Sequence, residues 1–360
     1  MDLRFDSIGL GVRPTPRFRM LGRNSLARFA LARNRRKKVQ PHLPYEFSRG
    51  IDMSNEGCEL RIGSVLVALL LVFGFFPVIF AGAATLSKGH DYVATPFGMV
   101  PRGQVLEVPS GTVIVGGSTL LLPSGAQVVL PHHSSLNPPS QNGWIEYADW
   151  TYNQAGYSIG TYDAGWTLPS APSNSNFGSS GGQVIYLFNG LEPSSTATSI
   201  IQPVLQWGNN GNFGGQYWDM ASWYVYGSSY IYSTPMQVSY SSISGEMTGW
   251  SCQSSNGQCN WDIQGIQFQN GQGYTTTLSY SSHSQLKNLA MYWASVTLEA
   301  YGITQCSDFP SGSVTFSNLF FVSDVSPWQY PTPSWSTTVN YSNCGESVTV
   351  NSPSSVTLAF

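Results

Sequence analysis

The sequence predicts an all-β protein, a two-sheet antiparallel β-sandwich of jelly-roll or concanavalin-like type preceded by a single N-terminal transmembrane or signal segment. Three observations predict it. Only 10% of the 360 residues are charged while 13% are aromatic, a balance that suits an exported β-protein and is too aromatic for a disordered chain. The 37 Gly and 22 Pro punctuate short β-branched and aromatic runs at turn spacing. No long amphipathic helical pattern occurs beyond the N-terminal segment.

The chain divides first by charge. Residues 1–83 hold 13 Lys/Arg against 6 Asp/Glu, whereas residues 84–360 hold 3 against 13. So acidic a remainder lacks the basic footprint of nucleic-acid binding. With few cations to repel one another once its carboxyls are protonated, it is also expected to be acid-stable. Residues 1–61 form a basic segment, and Met53 is an alternative start that would leave residues 1–52 untranslated. Residues 62–84 carry no charge over 23 positions and are long enough to span a bilayer. Their Ala81-Gly82-Ala83 end also fits a signal-peptide cleavage site. Signal-anchor and cleaved signal both place the remainder outside, given Arg33–Lys38 on the N-terminal side. The protein is therefore expected to be secreted or cell-surface anchored, touching a membrane only through residues 62–84.

Residues 85–143 read as a small β unit and linker. Val105–Val108, Thr112–Val115, Thr119–Leu122 and Gln127–Leu130 alternate with Pro-Ser-Gly and Gly-Gly turns. A propeptide, an accessory domain and an added sandwich layer all fit. His132-His133 reads as a loop feature, since no nearby third ligand completes a metal site. Residues 144–322 then carry about nine longer aromatic strands, the expected sandwich, and residues 323–360 form a C-terminal extension. Cys252 and Cys259 flank a hairpin-like loop and are expected to pair, leaving Cys306 with Cys344. An even number of cysteines beyond the apolar segment suits an oxidising compartment. No metal or other cofactor is called for.

The candidate site starts at Glu299, in the strand-like run Ala290–Tyr301. Strand alternation puts Trp293, Ser295, Thr297, Glu299 and Tyr301 on one face, with Ala294, Val296, Leu298 and Ala300 on the other. A lone acid on an aromatic, hydroxyl-lined face is a candidate general acid/base. Upstream, Gln202, Val204 and Gln206 share a face of Thr198–Gly208, and neutral amides can stabilise an oxyanion without titrating. The plainer reading is a buried strand acid satisfied by Tyr and Ser hydroxyls. Glu192 and Glu246 read as turn residues. Glu192, close in sequence to the Gln strand, leaves a two-Glu site as alternative chemistry.

The succession Ile200-Ile201-Gln202, Ala221–Tyr226, the turn Ile243–Met247, Trp293–Glu299 and Val314–Asn318 resembles the glutamic peptidases (eqolisins), over about residues 183–322. The resemblance implies an acid-active endopeptidase on a two-sheet sandwich with one Glu and one Gln as catalytic pair. Glu299 would activate water and Gln202 would stabilise the oxyanion. The family has a small residue and Gly after its Gln where this chain has Pro203-Val204, so Gln206 is the alternative partner. Trp207, Trp218, Trp223, Tyr224, Tyr226 and Gln206 would line the substrate cleft. A polypeptide substrate and a monomer are the corresponding expectations. The alternative from another class is a non-catalytic, lectin-like cell-surface sandwich that binds glycan or protein through its aromatic residues.

Overall fold

The computed structural model describes residues 92–115, 119–130, 143–175, 182–281 and 290–360. The basic segment, the apolar stretch 62–84 and the His132-His133 pair lie outside these residues. Among the described residues no helix is long and apolar enough to cross a membrane.

A hairpin comes first, β1 (Tyr92–Thr95) with β2 (Gly98–Pro101), followed by β3 (Val105–Val108), β4 (Thr112–Val115), β5 (Thr119–Leu121) and β6 (Gln127–Val129). The long strands are β7 (Trp144–Thr151), β8 (Ile159–Thr167), β9 (Val184–Glu192), β10 (Ser199–Gly208) and β11 (Trp218–Tyr226). The short β12 (Ser229–Ser233) and β13 (Met236–Gln237) precede β14 (Ser242–Trp250), β15 (Asn260–Gln269), β16 (Gln272–Ser281), β17 (Trp293–Tyr301) and β18 (Ser313–Ser323). The chain ends with β19 (Ser336–Val339), β20 (Ser347–Ser352) and β21 (Ser355–Ala359).

These strands form two large sheets. One runs β19-β7-β17-β9-β10-β11-β12-β3, with β13 on β11, and the other runs β20-β21-β18-β8-β14-β15-β16-β4-β5-β6. The first is called the site sheet here and the second the back sheet. Their facing side chains make one apolar core. Ala294, Val296, Leu298 and Ala300 of the site sheet meet Tyr162, Trp166, Met247 and Trp261 of the back sheet. The Tyr162 hydroxyl crosses between the layers to donate to the Ser295 carbonyl at 3.1 Å.

The pairing is antiparallel except at two edges, where β3 joins β12 and β4 joins β16 in parallel. The strands of the expected small unit thus extend both large sheets. The tail does likewise, through β19 on β7 and β20–β21 on β18. Ile243–Met247, read as a turn, is the middle of β14, because Gly245 reads as a breaker in sequence and is used for close approach. A Cβ there would stand 2.2 Å from Asn189 Oδ1 and 2.5 Å from Pro203 Cγ. Glu246 is accordingly a strand residue, and so is Glu192 at the end of β9. Both expected disulfides are present, Cys252–Cys259 and Cys306–Cys344.

Candidate active site

Every residue of β9, β10 and β17 is buried, so the site sheet is covered on both faces. Its inner face meets the back sheet. Its outer face carries a second cluster that includes Tyr186, Phe188, Val204, Trp223, Tyr232 and Tyr301. Glu299 belongs to this outer face. Register sets it opposite Tyr186 of β9, and Tyr186 in turn opposite Gln206 of β10. Residues opposite one another share a face, so Glu299, Tyr186 and Gln206 form one row.

Gln202 lies on the same face four residues further along β10, roughly 13 Å at the rise of an extended strand. The ladder between β10 and β9 pairs Ile201 and then Val204. It skips the positions around Pro203, which has no N–H to give. The Gln202 amide Nε2 donates to the Pro96 carbonyl at 2.7 Å, and its Oε1 has no hydrogen-bond partner. Gln206 is bound into its own loop: Nε2 donates to the carbonyls of Gly208 at 2.9 Å and Phe213 at 3.2 Å. Its Oε1 accepts from Asn210 Nδ2 at 3.1 Å.

The Glu299 carboxyl is wholly buried, and burial pushes its pKa up from 4.5 to about 8. Three groups pull the other way. The Tyr301 hydroxyl donates to Oε1, and the Trp144 side chain and the Gly98 backbone N–H face the carboxyl. Neither of the last two makes a hydrogen bond of normal geometry to Oε2. Trp144 reaches this position through a β-bulge. Leu298 pairs with Glu146 and Glu299 with Trp144, so Ile145 is the extra residue. The bulge turns Trp144 to the outer face while Ile145 enters the core. Bulges re-aim side chains in this way beside functional sites.

Beyond Trp144 the face opens into a cavity of about 300 Å³ whose walls include Phe97, Trp144, Tyr147, Trp293, Asp149 and Glu192. The Trp144 and Trp293 rings stack at 5.7 Å, and the Trp293 indole donates to Asp149 at 3.2 Å. Burial raises the Glu192 pKa to about 8. Glu192 is level with Trp293, six residues from the Glu299 row, roughly 20 Å along the strand. The two carboxyls therefore do not share a site.

The expected aromatic lining divides between the faces. Trp223 is on the outer face, stacked on Tyr232 at 4.7 Å. Trp207, Trp218 and Tyr224 are in the inter-sheet core, where Trp207 and Trp218 meet at 5.5 Å, and Tyr226 packs against the same core. Proximity to the Gln strand in sequence was a poor guide, because alternate residues of β10 and β11 point away from it. The outer-face aromatics missed in sequence include Trp144, Tyr147, Tyr186 and Phe97. Tyr186 was findable, since Tyr186 and Phe188 alternate along a β-branched run. Phe97 lies far from the other site residues in sequence.

No protein-family model matches the chain, and no curated protein matches it. Among solved structures, the chain is similar to SCP-B, described as a member of the eqolisin family of peptidases in a complex with the tripeptide Ala-Ile-His. Identity is 16%, the match covers 61% of this chain and 98% of that one, and the TM-score is 0.37. This is a distant structural resemblance.

Proposed function

We propose that the protein is an exported, acid-active peptide hydrolase in which Glu299 is the general acid/base. The observation that carries the reading is the row Glu299–Tyr186–Gln206. It sets one desolvated carboxyl across a single strand from a neutral amide, on a face large enough for an extended chain. Glu299 takes a proton from water as the water oxygen attacks the scissile carbonyl carbon. An amide donor stabilises the oxyanion, and Glu299 returns the proton to the leaving nitrogen as the C–N bond breaks.

Register sets Gln206 level with Glu299, and it is the amide in this reading once its N–H groups leave the Gly208 and Phe213 carbonyls that hold them. Neighbouring strands are about 4.8 Å apart, so the Glu299 and Gln206 backbones stand roughly 10 Å from each other, with Tyr186 between them in the row. Gly208 also falls two residues after Gln206, where the eqolisin resemblance expects Gly, while Trp207 stands where it expects a small residue. Gln202, four residues along, suits holding a backbone carbonyl of the bound chain. For Glu299 to act as base in acid its pKa must fall from about 8 toward the usual carboxylate range, which hydration supplies once β1–β2 is loosened. Export is supported by the two disulfides and by the apolar segment. The lectin-like alternative loses Trp207, Trp218 and Tyr224 to the core.

The test is hydrolysis of denatured protein from pH 2 to 7 by the exported chain and by a form with β1–β2 loosened, each beside Glu299→Gln. Cleavage that peaks in acid, ignores pepstatin and chelators, and disappears with Glu299→Gln is expected. Absence of cleavage by both forms would overturn the reading.

A further inference from the structure

Hairpin β1–β2 pairs with neither large sheet, unlike β3 and β4, which follow it. A two-stranded hairpin is marginal by itself, so what holds this one is the outer face of the site sheet. Val93, Thr95 and Val100 are almost fully buried, and Ala94, Phe97 and Met99 pack into the outer cluster. Its polar contacts run through its backbone. The Ala94 N–H donates to the Asn210 carbonyl at 3.2 Å, and the Ala94 carbonyl accepts from the Tyr186 hydroxyl at 2.8 Å. The Pro96 carbonyl accepts from the Gln202 amide at 2.7 Å. The Gly98 N–H faces Glu299 and Tyr301. At the far end Arg102 donates to the Gly211 carbonyl and to Asn212 Oδ1. One side chain of the turn, Phe97, packs against the outer cluster and forms a wall of the cavity beside Trp144, Tyr147 and Trp293.

Backbone groups that supply the hydrogen bonds, with one side chain in a pocket, are how an extended peptide is recognised irrespective of most of its sequence. We infer that Tyr92–Pro101 is an internal occupant of the substrate cleft, seated where a bound polypeptide runs, and that Phe97 marks a subsite for an aromatic residue. The inference rests on the function proposed above and names its substrate class. Because the hairpin shares no ladder with either sheet, it can leave while both sheets stay paired. Its departure bares Glu299, Tyr186 and the Gln202 amide together.

The test uses the full chain and two variants that loosen the hairpin by different means. Gly98 has φ +119°, a conformation that side chains rarely adopt, so Gly98→Val strains the hairpin itself. Arg102→Ala removes the anchor on the 211–212 loop. The probes are a fluorescein-labelled peptide with the sequence of residues 92–101 and the same peptide carrying Phe97→Ser. Both variants, with circular dichroism matching the intact chain, should bind the first peptide at least tenfold tighter than the second, while the intact chain binds neither. Hydrolysis of denatured protein should rise at least tenfold in the variants. An intact chain that binds the peptide as tightly as folded variants do, or folded variants that bind none, would overturn the inference. Peptide binding without hydrolysis keeps the occupied cleft and removes the peptidase reading. Equal hydrolysis by all three forms without peptide binding does the reverse. Should Gly98→Val fail to fold, the partly exposed Arg102 still decides the matter.

Discussion

Replacing Glu299 with Gln should flatten the pH dependence of stability. The folded-state pKa is about 8 against an ordinary 4.5. A carboxyl shifted upward contributes stability that is fully present below pH 4.5 and is lost as pH rises through 8, because the unfolded chain ionises first. The gap corresponds to a ceiling of ~5 kcal/mol at about 1.4 kcal/mol per pH unit. Water entering around the carboxyl reduces it. Glu192, also raised to about 8, and Asp219, raised to about 6, act with the same sign. The protein should therefore be most stable in acid, which the scarcity of cations alone does not guarantee. Guanidinium unfolding at pH 4 and pH 8.5 measures the effect. At pH 4 Glu299→Gln and the parent should agree within about 1 kcal/mol, since both side chains are neutral and nearly isosteric. Between the two pH values the parent should lose several kcal/mol more than the variant. Equal losses, or a parent more stable at pH 8.5, would refute the burial argument.

Other substitutions separate the roles of neighbouring residues. Gln206→Ala should lower kcat by about 10²–10³-fold, the loss typical of one oxyanion donor, whereas Gln202→Ala should raise KM with kcat little changed; steady-state kinetics distinguishes them. Trp293→Ala should raise KM for substrates with an aromatic residue and, because Trp293 is itself buried, also cost about 3–5 kcal/mol of stability. Trp207→Ala should cost about 3–5 kcal/mol of stability, as large core truncations do, without altering KM, as thermal melts and kinetics on the folded variant would show. Removing the Cys306–Cys344 bridge by paired Ala substitutions should cost about 2–4 kcal/mol, read by denaturant midpoint.

Much of the site face was legible in the sequence. Alternation along Trp293–Tyr301 separates the Glu299 face from the Ala294–Ala300 core face, because a strand with one apolar set has a single way to bury it. The same alternation misled where both sets were aromatic: Trp207 and Trp223 look alike in sequence, yet one is in the core and the other on the outer face. Ile243–Met247 misled because Gly245 serves close packing with Asn189 and Pro203, and sequence does not reveal which neighbour approaches a glycine.

The sequence by itself determined the all-β class, the two disulfide pairings, and the isolation of Glu299 among aromatic and hydroxyl groups. These depend on composition, spacing and the two-residue period, all local properties. Tertiary structure alone decided that Gln206 is level with Glu299, that the bulge at Ile145 brings Trp144 to the carboxyl, and that Tyr92–Pro101 lies against the outer face of the site sheet. Each depends on register between strands distant in sequence, and register follows from the packing of both sheets together rather than from any one segment.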